Sequence, residues 1–342
     1  MRIAKVFAVL VILLALGTVA VAEGGQVLLN AAGATFPYPI YSKWFDQYHQ
    51  AHPNVQINYQ SIGSGGGIRQ LLDKTVDFGA SDGPMNDDQL KQASVPILHF
   101  PTVLGAAIPS YNVQGVGGDL NFTPEALSGI FLGKITKWND PAIASVNPGV
   151  KLPGDDIVVV HRSDGSGTTY IWTDYLSKVS PEWQTKVGKA TSVNWPVGLG
   201  GKGNEGVSAL VQQTPGAIGY IELIYAIQNH MPYGKVKNAA GMFVKADLAG
   251  VSAAAAAAAK AMPDDFRVSI TNPPDNKAAY PIASFTWLLI PEKFSDATKR
   301  DVVKDFLKWM MTDGQASCEA LAYAKLPKEV VAKEMKAIAK IQ

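Results

Sequence analysis

The chain has 342 residues, 47% of them hydrophobic and 17% charged, with 30 Lys and Arg against 29 Asp and Glu for a formal net charge of +1. That length allows about two domains, and the near-neutral balance excludes a nucleic-acid partner recruited by basic excess. The single cysteine, Cys318, excludes an intramolecular disulfide, and no Cys/His spacing in the sequence resembles a zinc site.

In chain order, Arg2 and Lys5 precede an apolar run that ends near residue 16, and Ala20-Val21-Ala22 follows as a small-x-small site. Residues 1–22 therefore read as a secretory signal peptide cut before Glu23. Without Arg2 and Lys5 the mature chain carries 28 basic and 29 acidic residues. The apolar stretch over residues 6–22 is just short of a comfortable membrane span, which disfavours an uncut anchor. No cysteine near the cut suggests a lipid anchor.

Residues 28–33 read as a short strand leading into Gly33-Ala34-Thr35-Phe36. Pro37 and Pro39 suit the first turn of a helix, where a missing N–H costs nothing. Ile40, Tyr41, Trp44 and Tyr48 then recur at helical spacing, so Thr35 and Phe36 sit at a strand-to-helix junction. Asp46, His49 and His52 on that helix are better read as a solvated face than as metal ligands. Residues 55–61 alternate as a half-buried strand. Ile62-Gly63-Ser64-Gly65-Gly66-Gly67 reads as a loop, with a helix beginning at Ile68. It matches neither the dinucleotide-binding glycine pattern nor a phosphate-cradling Gly-Lys-Ser/Thr loop. Asp82 ends a short apolar run, where a turn or cap role is the plain reading, and Asn86-x-x-Gln89 resembles a capping box.

Residues 97–108 are strand-like, and a crossing into a second domain is placed near Ser110. Segments 122–127 and 132–139 read as short helices around a turn. A buried strand over residues 157–160 leads into His161-Arg162-Ser163-Asp164-Gly165-Ser166-Gly167-Thr168, with a helix over about 169–179. The first turn of a helix has free N–H groups and partial positive charge, which suit an anion. Arg162 adds a fork of donors and Ser166 and Thr168 add hydroxyls, so the chemistry on offer is recognition of a small tetrahedral oxyanion. Ser, Asp and Gly also serve as ordinary N-caps, and this segment alone leaves both roles open. Gly200-Gly201-Lys202-Gly203-Asn204 opens a further helix over 207–213. The alanine run 253–259 reads as an exposed helix of the second domain. Asn272-Pro273-Pro274 marks the return to the first domain, where residues 282–290 form a buried strand and 301–311 an amphipathic helix. Strands alternating with helices give an α/β architecture.

Six motifs occur together in one order: Gly33-Ala34-Thr35-Phe36-Pro37, the 62–67 run, Asp77-Phe78-Gly79-Ala80-Ser81-Asp82, Leu132-Gly133-Lys134-Ile135-x-Lys137-Trp138, Arg162-x-Asp164-Gly165-Ser166-Gly167-Thr168 and the 200–204 run. Over nearly all of the mature chain they make it resemble the periplasmic phosphate-binding proteins of bacterial high-affinity phosphate uptake. The resemblance implies a two-lobed type II periplasmic binding protein fold with a ligand cleft between the lobes. Lobe I would comprise residues 23–109 and 273–342, and lobe II residues 110–272. It implies phosphate ligands at Thr35, Phe36, Ser64, Asp82, Arg162, Ser166, Gly167 and Thr168, with Asp164 bracing Arg162. Phe36 and Gly167 would contribute main-chain N–H groups. It further implies a periplasmic monomer without cofactor or catalytic residues, handing inorganic phosphate to the inner-membrane permease subunits of an ABC transporter.

Three other functions are weighed. An exported hydrolase would need a nucleophile beside a base or a metal cluster, and neither Ser64 nor Ser166 stands in a nucleophile elbow. A carrier of sulfate or molybdate, and a scavenging or adhesion role, are the remaining alternatives.

Overall fold

The computed structural model describes residues 25–116 and 118–342. The signal peptide expected over residues 1–22 and its cut before Glu23 lie outside the described residues. The strands are β1 (Val27–Gly33), β2 (Val55–Ser61), β3 (Phe78–Ser81), β4 (Ile97–Asn112), β5 (Asn121–Phe122) and β6 (Val158–Arg162). They continue with β7 (Leu199–Gly201), β8 (Ala217–Glu222), β9 (Lys235–Lys237), β10 (Phe243–Val244) and β11 (Ala283–Pro291). Among the described residues, eight strands form one sheet in the order β2-β1-β3-β11-β4-β8-β6-β7, and β10-β9-β5 form a second.

The large sheet has two halves that share one strand. β1 pairs in parallel with β2 and β3, and β6 pairs in parallel with β7 and β8. β4 runs antiparallel to β11 through Ala106 and antiparallel to β8 from Ala107 onward. Its near-continuous apolar run is buried almost throughout, as expected of a strand covered on both faces. The register with β11 shifts between Thr286 and Trp287, opposite Val103 and Pro101. A bulge fits there, because proline cannot donate to the ladder.

Glycine serves close approach at two positions of the site-forming loops. Within the run over residues 62–67 only Ile62 and Gly63 are loop. The run enters the helix Ser64–Leu72 directly, with Gly63 as N-cap at φ +89°. A Cβ on Gly67 would overlap the Gly33 and Ala32 main chain, so this glycine lets the helix rest on β1. Helix propensity argues against three consecutive glycines, but here tertiary packing overrides it. Similarly, the helix after β7 begins at Gly203 rather than Val207, spanning Gly203–Gln213. Residues 132–139 form a turn and a single bridge from Lys137 to Asp156, not a helix.

The alanine run corrects another expectation. It lies in the helix Leu248–Lys260, which packs on β11, β4 and the helix Lys328–Ala337. Val251, Ala254, Ala255 and Ala259 are buried. Alanine carries no polar side to reveal which face is covered, so periodicity could not detect this burial. The box expected at Asn86 is present: its side chain accepts from Gln89 N–H, and Gln89 accepts from Asn86 N–H.

Candidate ligand site in the interlobe cleft

The C-terminal ends of the parallel strands open onto the cleft, where α/β sheets ordinarily present their binding residues. Thr35 and Phe36 follow β1, Ser64 follows β2 and Asp82 follows β3. Arg162 ends β6, Ser166 caps the next helix, and Gly167 and Thr168 begin it. Thr35, Phe36, Ser64, Asp82, Arg162, Ser166 and Thr168 are all buried.

The two halves meet in this cleft. Gly65 N–H donates to Gly165 O at 2.9 Å. Asp82 N–H donates to Ser64 Oγ at 3.3 Å, and a Cβ on Gly167 would overlap both Asp82 Oδ2 and Ser64 Oγ. The fold thus brings Thr35, Ser64, Asp82, Arg162, Gly167 and Thr168 together, although residues 35 and 168 are far apart in the chain. Ser166, also buried, accepts Thr169 N–H on Oγ at 3.0 Å, which leaves its own hydrogen to donate. The Phe36 ring turns into the core beside Tyr323, whose hydroxyl donates to Phe36 O at 2.6 Å. Only the main chain of Phe36 is left for the cleft.

Arg162 is held as a fork. Its Nε donates to Asp164 Oδ1 at 2.7 Å and Nη2 to Oδ2 at 2.5 Å, while Nη1 reaches Thr168 Oγ1 at 3.4 Å. Asp164 Oδ1 also accepts Gly203 N–H at 3.0 Å. Burial alone would push the Asp164 carboxyl upward, but the hydrogen bonds and charge of Arg162, with the Gly203 amide, hold it below the usual carboxylate range. The guanidinium is therefore aimed and charge-paired, with N–H groups left to donate.

Asp82 is the opposite case. Its Oδ1 accepts the Thr286 hydroxyl at 2.8 Å, and its buried Oδ2 has no partner among the described residues. Burial pushes the carboxyl from 3.8 up to about 7, against the opposing effects of the Thr286 hydrogen bond and the Arg162 charge. An orphaned buried acceptor is costly. With Ser64 and Gly167 beside it and the Arg162 charge acting on it, it suits a guest that is an anion yet brings a proton.

This shift has a testable consequence for the ligand-free protein. The folded carboxyl keeps its proton in a window where the unfolded chain has released it. Its stabilising contribution is therefore complete below about pH 4 and is lost as pH rises to about 7. Thermal unfolding across that window should show Asp82→Asn losing less stability with rising pH than the unsubstituted chain, by up to about 4 kcal/mol. Parallel profiles for the two proteins would remove Asp82 as the titrating group. Glu222 and Glu334 are shifted upward by burial too, which is why the difference between the two profiles is the quantity to read.

Two buried residues of the cleft were not assigned from the sequence. Asn204 donates through Nδ2 to Thr35 Oγ1 at 2.7 Å and to Thr168 Oγ1 at 3.2 Å. Its Oδ1 accepts Glu222 N–H at 2.9 Å. Glu222 ends β8 and caps the helix Leu223–Gln228 through Oε2 at 2.6 Å from Ile224 N–H. The available signal was that Asn204 stands in the first turn of a helix after a strand, as Ser64 and Thr168 do. His49, weighed as a metal ligand, is bonded through Nδ1 to Val55 O at 2.6 Å.

The family model for the PBP superfamily domain matches residues 20–314. The chain is 47% identical over 307 residues to the phosphate-binding protein PstS of Xylella fastidiosa strain Temecula1, covering 90% of this chain and 83% of that one. It is 45% identical to the phosphate-binding protein PstS of Pasteurella multocida, covering 89% and 88%. A high-affinity periplasmic phosphate-binding protein, PfluDING, solved with bound phosphate, shares the fold at TM-score 0.71 and 24% identity, covering 91% of this chain and 93% of that one.

Proposed function

We propose, from the premise that this chain belongs to the PBP superfamily and within it to the phosphate-binding proteins PstS, that its interlobe cleft captures inorganic phosphate for import by an ABC transporter. It is a solute-binding protein and not an enzyme. In this reading lobe I comprises residues 23–109 with 273–342 and lobe II residues 110–272. The chain works as an exported periplasmic monomer, cut before Glu23, which docks in its closed form on permease subunits in the inner membrane.

The observation that carries the reading is Asp82 Oδ2, buried without a hydrogen-bond partner among the described residues and set beside Gly167 and Ser64. The hydroxyls of Thr35, Ser64, Ser166 and Thr168, the amides of Phe36 and Gly167, and the Arg162 guanidinium donate to phosphate oxygens. Asp82 Oδ2 shares the one proton that phosphate brings, and Asp164 braces Arg162. Charge-assisted hydrogen bonds of roughly 1.5–3 kcal/mol each reach the ~8 kcal/mol of micromolar binding after association entropy is subtracted. Isothermal titration of the purified protein at about pH 9, where Asp82 is ionised, should show micromolar or tighter phosphate binding and far weaker sulfate binding. Absence of phosphate binding would overturn the reading.

Ligands drawn from both lobes make closure part of binding. Gly167→Ala tests this coupling, because its methyl would wedge between Asp82 and Ser64. Phosphate affinity should fall by about tenfold, and small-angle scattering should show less compaction on adding phosphate. Full compaction with unchanged affinity would mean that the lobes do not need this contact.

A further inference from the structure

We infer that Asn204 sets the polarity of the cavity: it fills lone pairs on the Thr35 and Thr168 hydroxyls, one from each lobe, so that each has only its hydrogen to offer a bound anion. This inference rests on the phosphate-capture reading and goes beyond it, since Asn204 acts through other residues.

A hydroxyl has one hydrogen to donate and two lone pairs that accept. Thr35 Oγ1 accepts twice from Asn204, through Nδ2 at 2.7 Å and through its main-chain N–H at 3.3 Å. Thr168 Oγ1 accepts from Asn204 Nδ2 at 3.2 Å and from Arg162 Nη1 at 3.4 Å. Both hydroxyls are therefore saturated as acceptors, and both are buried. Their hydrogens are the part left to pair, and an anion in the shared cleft supplies the acceptor.

The amide cannot turn round without loss. Asn204 Oδ1 accepts Glu222 N–H at 2.9 Å, and a main-chain N–H can only donate. A turned amide would set its NH2 against that N–H and its oxygen against the threonine oxygens. The polarity thus runs one way, from the end of β8 through the amide and the hydroxyls to the ligand, and each bond strengthens the next. Thr35 and Asn204 also come from opposite lobes, so the bridge forms when the cleft closes. Asn204 is a positioning residue, and Asp82 Oδ2 is left as the cavity's acceptor.

A double-mutant cycle read by isothermal titration with inorganic phosphate tests this. Asn204→Ala should weaken binding about tenfold in the otherwise unchanged protein. It should do so by less than about threefold in a background carrying Thr35→Val and Thr168→Val, because the hydroxyls it acts through are gone. Equal losses in both backgrounds would mean that Asn204 only supports its helix, and would overturn the inference. Asn204→Asp keeps the size but presents lone pairs on both oxygens, drawing the hydroxyl hydrogens to itself. It should bind phosphate at least about tenfold more weakly than Asn204→Ala. Where the alanine variant fails to fold, Asn204→Asp carries the test alone, and affinity within about threefold of the unsubstituted protein overturns the inference. An unsubstituted protein that ignores phosphate would overturn the capture reading itself. Phosphate binding with an additive cycle overturns only the role of Asn204.

Discussion

At pH 9, about two units above the carboxyl's own value, Asp82→Asn should collapse the preference for phosphate over sulfate by on the order of a hundredfold. The buried Oδ2 of Asp82 has no partner among the described residues, while Oδ1 is taken by Thr286 at 2.8 Å. A carboxylate oxygen facing an anion is tolerable only when one proton lies between them. Phosphate carries that proton near neutral pH, and sulfate carries none. In the variant, the Thr286 hydroxyl holds the amide oxygen and the NH2 faces the ligand, so an unprotonated oxyanion gains a donor where it met repulsion. Sulfate should then bind measurably, and competition calorimetry gives the ratio. An unchanged ratio would strip Asp82 of its selective role. The same geometry sets a pH dependence in the unsubstituted protein. Its carboxyl sits at about 7 without ligand, and a protonated Asp82 could donate to sulfate. Sulfate affinity should weaken by about tenfold per unit as pH rises above that value, while phosphate, bringing its own proton, should change far less. A flat sulfate profile between pH 7 and 9 would contradict the shared-proton account.

Arg162→Ala should cost phosphate affinity well over tenfold, about 3–5 kcal/mol. Two effects add. The cleft loses a charge and the free N–H groups of a guanidinium that is itself buried. Asp164, now held at both oxygens by Arg162, is left with the Gly203 N–H alone and presents an uncompensated negative charge beside the ligand. Arg162→Ala combined with Asp164→Asn should therefore bind phosphate more tightly than Arg162→Ala does. Arg162→Lys should rescue little, because a point charge cannot replace a fork held by two bonds to one carboxylate. Near-normal calorimetry on the alanine variant would remove Arg162 from the site. A double variant no better than the single one would show that Asp164 positions the arginine without opposing the ligand.

Much of the molecule was legible from the linear chain. Strand-to-helix alternation marked the α/β class, and Ser or Thr at successive helix starts marked the donors. The order of the six motifs pointed to the phosphate-binding proteins, and a capping box was readable at Asn86 and Gln89. Each of these signals is local: a period, a cap or a spacing within a few residues, where the main chain itself sets the geometry. Tertiary structure decided the rest. Gly65 and Gly67 proved helical because the helix must approach another main chain closely, and the alanine helix proved half-buried because β11 and β4 cover it. Asn204 acquired its place by meeting Thr35 across 169 positions of chain, and Asp82 its raised carboxyl by burial beside Gly167, far along the chain. Hydrogen bonding and desolvation between such distant residues depend on what finally surrounds each atom. A one-dimensional pattern can name the donors and acceptors of this cleft, but only the packed fold determines which of them remain unpaired.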